Sequence, residues 1–153
     1  MIINIYERNF PLNQKIKNLA EILKEKNIKP SYQRMKILEY LILKKNHPTV
    51  DEIFKDLASE MPTLSKATVY NTLDLFKKSG LARVVTIEDN ETRYDGEVSV
   101  HGHFKCENCG TIFDFPVNEK TLCSDTLEDF MITEKNVYFK GICPKCRNTN
   151  KIK

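Results

Sequence analysis

Apolar residues recur through the first half of the chain at helical spacing. Leu12, Ile16, Leu19 and Leu23 make one face across residues 11–27. Pro30 stops that pattern, and Ser31 is a good N-cap for a second helix with Ile37, Leu38, Leu41 and Ile42 as its stripe. Asn46-His47-Pro48 breaks the second helix. Thr49 opens a third, with Glu52 three residues on in the capping-box position and Val50, Ile53, Phe54 and Leu57 as its apolar set. Met61-Pro62-Thr63 is a turn. The fourth helix runs from about Ser65 to Ser79, with Gly80 as the residue that ends it.

The period then changes. Leu81 to Ile87 is rich in Val, Ile and Thr, and Thr92 to Asp95 is a short extended piece. Glu88-Asp89-Asn90-Glu91 between them is a polar turn, so the stretch reads as a hairpin. Helices followed by a hairpin, with a short turn between the third and fourth, match a winged helix-turn-helix. On the fourth helix Val69, Leu73 and Phe76 share the face that should be core, while Ala67, Tyr70, Asn71 and Lys78 fall opposite. An outward Tyr and Asn near the start of such a helix suit base edges in a major groove. Lys66, Ala67, Tyr70 and Asn71 are the candidate DNA contacts. Solvated surface is the plainer reading of any one of them.

Charge adds a division that the total conceals. The 153 residues carry a net charge of +3. Residues 1–84 hold 15 basic and 9 acidic side chains, and residues 85–153 hold 9 basic and 12 acidic. All five cysteines lie in the acidic part, at 106, 109, 123, 143 and 146. The 41% hydrophobic content excludes a disordered chain. The N-terminus lacks an apolar core of signal-peptide length, and no apolar run approaches a membrane span. The expectation is a cytoplasmic protein with no membrane partner, whose cysteines bind metal rather than form disulfides.

Two kinds of metal site are legible. Cys106-Glu-Asn-Cys109 and Cys143-Pro-Lys-Cys146 are CxxC pairs separated by 33 residues, and four thiolates enclose Zn²⁺ tetrahedrally. Gly110 suits a tight knuckle after the first pair. The rival is a thiol-redox CxxC, which needs one pair opening a helix after a buried strand. Both pairs here lie in or near polar turns. Cys123 reads as a buried apolar cysteine in a helix near Leu122, Leu127 and Phe130, with no chemistry assigned. His101-Gly-His103 sits in a strand, where residues two apart point the same way. Asp114, in Ile112-Phe113-Asp114-Phe115, lies in a strand that pairs with the first across Asn108–Gly110, and Asp95 ends the wing. Imidazole with carboxylate suits Fe²⁺, Mn²⁺ or Zn²⁺. His47 taken alone reads as a surface or capping histidine.

Five strings carry a resemblance. They are His47-Pro-Thr-Val-Asp-Glu-Ile-Phe, Ser65-Lys-Ala-Thr-Val-Tyr-Asn-Thr-Leu, Arg93-Tyr-Asp95, His101-Gly-His103-Phe-Lys-Cys106-Glu-Asn-Cys109-Gly and Cys143-Pro-Lys-Cys146. Together they closely resemble the ferric uptake regulator (Fur) family from about Ile28 to Cys146, and most of all its peroxide-sensing PerR branch. The resemblance implies an α+β chain with a winged-helix DNA-binding domain at 1–95, a hinge at 96–100, and a small α/β dimerisation domain at 101–153 holding a four-cysteine structural zinc. It implies a homodimeric, metal-dependent transcriptional repressor of double-stranded operator DNA, not an enzyme, with peroxide as signal rather than substrate. Carried over residue by residue, the regulatory Fe²⁺ or Mn²⁺ site is His47, Asp95, His101, His103 and Asp114, and His47 and His101 are the positions oxidised by peroxide. Aspartates at 95 and 114, and no histidine-rich run before Cys106, favour PerR over an iron-responsive Fur repressor, which stays the alternative. The departures are an extension of about ten residues at the N-terminus and Tyr32 where the family usually has proline. A metal-storage protein is a further rival, and it has no use for a basic helical half.

Overall fold

The structure, a computed structural model, describes residues 12–87, 91–122 and 124–149, and in the first helix side chains from Asn18 onward. The N-terminal extension, turn residues 88–90, Cys123 and the side chains of Leu12 and Ile16 lie outside the described residues. The chain forms two compact units, residues 1–98 and 99–153.

The first unit holds α1 (Leu12–Glu25), α2 (Tyr32–Lys44), α3 (Val50–Leu57) and α4 (Lys66–Ser79), then β1 (Arg83–Val85) and β2 (Arg93–Asp95). Side chains at the helix starts satisfy the orphan N–H groups there. Ser31 accepts from the Arg34 amide. Thr49 accepts from the Glu52 amide while the Glu52 carboxylate accepts from the Thr49 amide at 2.7 Å, a complete capping box. Ser65 accepts from the Thr68 amide at 3.1 Å. Gly80, at φ +70, ends α4, and its N–H and that of Leu81 reach the Phe76 carbonyl.

The helices bury one core. Leu19 and Leu23 of α1, Ile37, Leu38 and Leu41 of α2, Ile53 of α3, and Val69, Leu73 and Phe76 of α4 are all buried. The face expected for α4 is the face buried, with Thr72 added to it. Tyr40 of α2 donates to Asp56 at 2.8 Å, beside the end of α3. Burial, and then that hydrogen bond, push its phenol up to about 12. β1 and β2 pair antiparallel, Val84 opposite Tyr94, and are shorter than the stretches the sequence suggested. Gly96 follows β2 closely packed, since a Cβ there would meet the Leu41 backbone at 3.1 Å.

The second unit is a three-stranded sheet. β3 (His101–Cys106) lies between β4 (Ile112–Pro116), antiparallel, and β5 (Val137–Gly141), parallel. The register sorts the side chains by period two. Gly102, Phe104, Phe113, Phe115 and Phe139 share one face, and His101, His103, Asp114 and Tyr138 share the other. Gly102 is there for space: a Cβ would fall 2.3 Å from the Phe115 ring, which stacks on Phe139 with centroids 5.1 Å apart. A short helix, α5 (Pro144–Thr149), follows.

Three expectations change. β5 has no counterpart in the sequence pattern, because its pairing with β3 is distant along the chain. The helix expected around Cys123 is instead flanked by single 3₁₀ turns at Glu119–Leu122 and Asp125–Leu127, and Leu127 and Phe130 are exposed rather than packed. The second CxxC does open a helix, since Cys143 directly precedes α5.

Phe76 has no exposed surface and sits at the centre of the first core. Phe76→Ala should lower the unfolding free energy by about 3–5 kcal/mol in chemical denaturation. Lys78→Ala, two residues on and at the surface, should change it by less than about 0.5 kcal/mol.

Candidate functional site

The four cysteines of the CxxC pairs come together. Cys106 ends β3, Cys109 follows on the knuckle, and Cys143 and Cys146 bracket the start of α5. The knuckle is closed by two backbone bonds, Gly110 N–H to Cys106 O at 2.9 Å and Cys106 N–H to Thr111 O at 3.0 Å, with Gly110 at φ +71. The Glu107 N–H reaches Gly141 O at 2.8 Å and ties the knuckle to the end of β5. All four sulfurs lie within 4.8 Å of one another, and those of Cys109 and Cys143 are 3.9 Å apart. Four Zn–S bonds of about 2.3 Å at tetrahedral angles separate sulfurs by about 3.8 Å, so the donor set fits a single soft ion.

The electrostatics agree with thiolate ligation. The Cys143 amide donates to the Cys106 sulfur at 3.3 Å, and with the Cys109 and Asn108 amides it draws that thiol down to about 6 against its burial. Thr111, 3.3 Å from Cys109, lowers the Cys109 thiol. At Cys146 the Asn108 side chain pulls down, but burial and the neighbouring thiols outweigh it and push the group up to about 11. A dithiol redox pair needs two sulfurs. Here four converge, which favours metal even though α5 begins at a CxxC.

The nitrogen and oxygen donors fall in both units. In the second, His101 and His103 project from one face of β3, and their Nε2 atoms are 3.0 Å apart. Asp114, opposite His103 in the register, brings Oδ1 to 3.8 Å from His101 Nε2 and 3.7 Å from His103 Nε2. The Ser99 carbonyl lies 2.9 Å from His101 Nδ1. With Nδ1–H donated there, Nε2 keeps its lone pair for an ion. In the first unit, His47 Nε2 lies 3.8 Å from Asp95 Oδ2. Asp95 Oδ1 accepts from the Glu97 amide at 2.8 Å, which fixes the carboxylate at the end of β2. Two imidazoles with one carboxylate, and one with another, are donors for a divalent ion of intermediate hardness.

His47 is not the surface residue its sequence context suggested, for it is buried, with 2% of its surface exposed. Its backbone has φ +49, immediately before Pro48. A residue before proline favours extended backbone, and a left-handed non-glycine residue costs about 1–3 kcal/mol. Contacts from β2 hold it there. The Tyr94 N–H donates to Pro48 O at 2.9 Å, and Arg93 Nη1 donates to His47 O at 3.0 Å. Sequence reasoning had no role for the Arg93 side chain.

On α4, Tyr70 and Asn71 are exposed, as are Ala67 and Lys66. Lys66 pairs with Asp51 of α3 at 2.9 Å. Asn71 borders a groove of about 340 Å³ shared with Lys29, Ser31, Gln33, Arg34 and Thr68. Lys29 and Arg34 add positive charge beside the helix that reads as the DNA-contacting one, and neither stood out from the sequence. Among the described residues, no helix is long and apolar enough to cross a membrane.

The metal-free, reduced protein should bind one equivalent of Co²⁺ at its thiols. The expected signs are thiolate-to-metal absorption, and proton release at neutral pH because the Cys146 thiol is held protonated. Cys109→Ser should lose intensity in that absorption. A Co²⁺ complex without sulfur absorption would refute the site.

Residues 25–140 match the model of the ferric uptake regulator family. The peroxide operon regulator of Bacillus subtilis (strain 168) is 38% identical over 134 residues, which span 86% of this chain and 92% of the relative. The solved structure of PerR from Streptococcus pyogenes, described in terms of peroxide sensing and gene regulation, is 34% identical, spans 86% of this chain and 92% of its own, and has a TM-score of 0.50. The Helicobacter pylori ferric uptake regulator, at 21% identity, shares the fold with a TM-score of 0.68 over 92% of this chain and 96% of its own.

Proposed function

The chain belongs to the ferric uptake regulator family, and from that premise we propose the particular way in which it works as a metal-dependent repressor of the PerR type. It binds double-stranded operator DNA as a homodimer. Cys106, Cys109, Cys143 and Cys146 hold a structural Zn²⁺, and His47, Asp95, His101, His103 and Asp114 hold a regulatory Fe²⁺ or Mn²⁺. The observation that carries this reading is the segregation of donors. Soft sulfur is gathered in one place, and imidazoles and carboxylates are paired away from it, His101 and His103 with Asp114 and His47 with Asp95.

His47 and Asp95 belong to the unit with the recognition helix, and the other three ligands to the unit with the sheet. A shared ion would constrain residues 96–100 as a hinge and fix the separation of the two recognition helices in a dimer. That separation must match successive turns of DNA. The exposed aromatic face of the sheet supports the dimer. Phe113 and Phe139 are 43% and 57% exposed there, beside the Phe115–Phe139 stack. Tyr70 and Asn71 read base edges, while Lys66 and the charge around Lys29 and Arg34 meet phosphates.

A bound Fe²⁺ would promote cleavage of the peroxide O–O bond beside its ligands, whereas Mn²⁺ would supply binding without that chemistry. His47 or His101 gives up the two electrons and a ring C–H for one peroxide oxygen, and the other oxygen leaves as water. An imidazole oxidised in this way is a poorer donor, so its half of the ligand set lets go and the operator is released. The event is stoichiometric sensing, and the relatives are regulators rather than enzymes.

His47→Ala should abolish Mn²⁺-dependent operator binding while the zinc and the dimer survive, as read by gel shift, metal analysis and light scattering. Normal operator binding by that variant would remove His47 from the ligand set. Peroxide with Fe²⁺ present should add one oxygen to His47 or His101 in peptide mass spectra. An unmodified protein that represses tightly with Fe²⁺ would instead be an iron-responsive repressor. Asn71→Ala should weaken operator binding by about 1–3 kcal/mol and relax discrimination at one base pair, whereas Lys66→Ala should lower affinity and the salt slope for every sequence.

A further inference from the structure

We propose that Arg93 is a positioning residue that holds His47 in its liganding conformation before any ion arrives. The inference rests on the reading that His47 is a metal ligand.

Three consecutive residues of β2 grip the His47-Pro48 corner, each with a different group. Asp95 faces the imidazole at 3.8 Å, the Tyr94 amide donates to Pro48 O at 2.9 Å, and Arg93 Nη1 donates to His47 O at 3.0 Å. Arg93 and Asp95 are two apart on a strand and so point the same way. One strand therefore supplies a proposed ligand and a clamp on the backbone of its neighbour. The clamp is needed because His47 sits at φ +49 before a proline, a backbone that contacts must impose.

The guanidinium is itself fixed. Its Nη2 lies 2.8 Å from Glu91 Oε2, and its Nη1 is shared with Glu52 Oε2 at 3.4 Å. Glu52 is also the acidic member of the capping box that opens α3. The side chain is only 17% exposed. A planar fork can meet a carbonyl and two carboxylates at once, whereas a lysine ammonium cannot hold that arrangement. Without the clamp, the corner is free to adopt extended backbone and only a fraction of molecules present the imidazole correctly. Apparent metal affinity falls by that fraction.

The test uses the full chain with zinc bound and regulatory metal removed, and Mn²⁺ as the probe. Wild type, Arg93→Ala, Arg93→Lys and His47→Ala are compared for Mn²⁺ affinity by calorimetry without DNA, for thermal unfolding without Mn²⁺, and for operator affinity at saturating Mn²⁺. The proposal expects Arg93→Ala to weaken Mn²⁺ binding by about tenfold, with the unfolding midpoint and the saturated operator affinity unchanged. Wild-type Mn²⁺ affinity in Arg93→Ala, with loss in His47→Ala, would overturn the proposal alone. So would unchanged Mn²⁺ binding with weakened operator binding at saturation, because that marks Arg93 as a phosphate contact. If Arg93→Ala lowers the midpoint, Arg93→Lys decides. A recovered midpoint with still-weak Mn²⁺ binding supports positioning, and joint recovery of both means a structural role and overturns it. Wild-type Mn²⁺ affinity in His47→Ala would overturn the ligand assignment itself, and this proposal with it.

Discussion

The second unit depends on the convergence of four thiols. Among its described residues, the buried cluster is Cys106, Cys143 and Cys146 with Phe104 packed against them, and its phenylalanine face is partly exposed. A small unit of this kind has too little apolar area to offset the conformational entropy of ordering its chain. Its sulfurs lie on the end of β3, the knuckle and the start of α5, so an ion held by them would join segments distant in sequence and fix β5 beside β3. Metal binding and folding are then one equilibrium. The chemistry within the cluster fits this. Amide donors favour the thiolate at Cys106, while crowding of like groups at Cys146 is relieved only when a cation shares the space.

The first unit solves the same problem with carbon. Its core runs from Leu19 to Tyr94, draws on all four helices and is built from apolar side chains and tyrosines. A core of that kind matters for a sensor. A DNA-binding unit that unfolded whenever its regulatory metal left would be degraded rather than switched. Here the groups His47 and Asp95 offer to an ion sit on a corner and a strand end carried by an apolar body.

How much was legible in the sequence follows from how local each determinant is. Ser31, the Thr49–Glu52 box, Ser65 and Gly80 set helix ends through contacts within one turn, and each stands where the sequence placed it. The period of α4 named Val69, Leu73 and Phe76 as core for the same reason. The alternation that puts His101 and His103 on one side of β3 is also local, as is the short return to Asp114. β5 was missed because nothing inside Val137–Gly141 announces a parallel partner more than thirty positions earlier. The segment around Leu127 and Phe130 looked helical from its apolar content, yet it closes only single 3₁₀ turns and exposes those side chains. His47 was the sharpest failure. Its burial and left-handed backbone have no signature in the residues around it, and the Arg93 contact comes from β2, 46 residues away.

β2 shows why so short a strand can matter. It is three residues long, pairs with β1 alone, and contributes one buried tyrosine to the core. Yet every one of its residues touches or faces the His47-Pro48 corner. The corner in turn is the residue pair just before Thr49, whose cap starts α3, and α3 reaches the first turn of α4 through Asp51 and Lys66. A chain of contacts therefore runs from the His47-Pro48 corner to the first turn of α4 within the first unit. Exposed pairs such as Asp51–Lys66 are each worth little, about 0–1 kcal/mol, so this route alone is too weak to switch repression. Were His47 a ligand and α4 the DNA-contacting helix, any coupling along this chain of contacts would be reciprocal. All three residues of the strand are used at the corner, since Arg93 and Tyr94 hold it and Asp95 turns a carboxylate toward it.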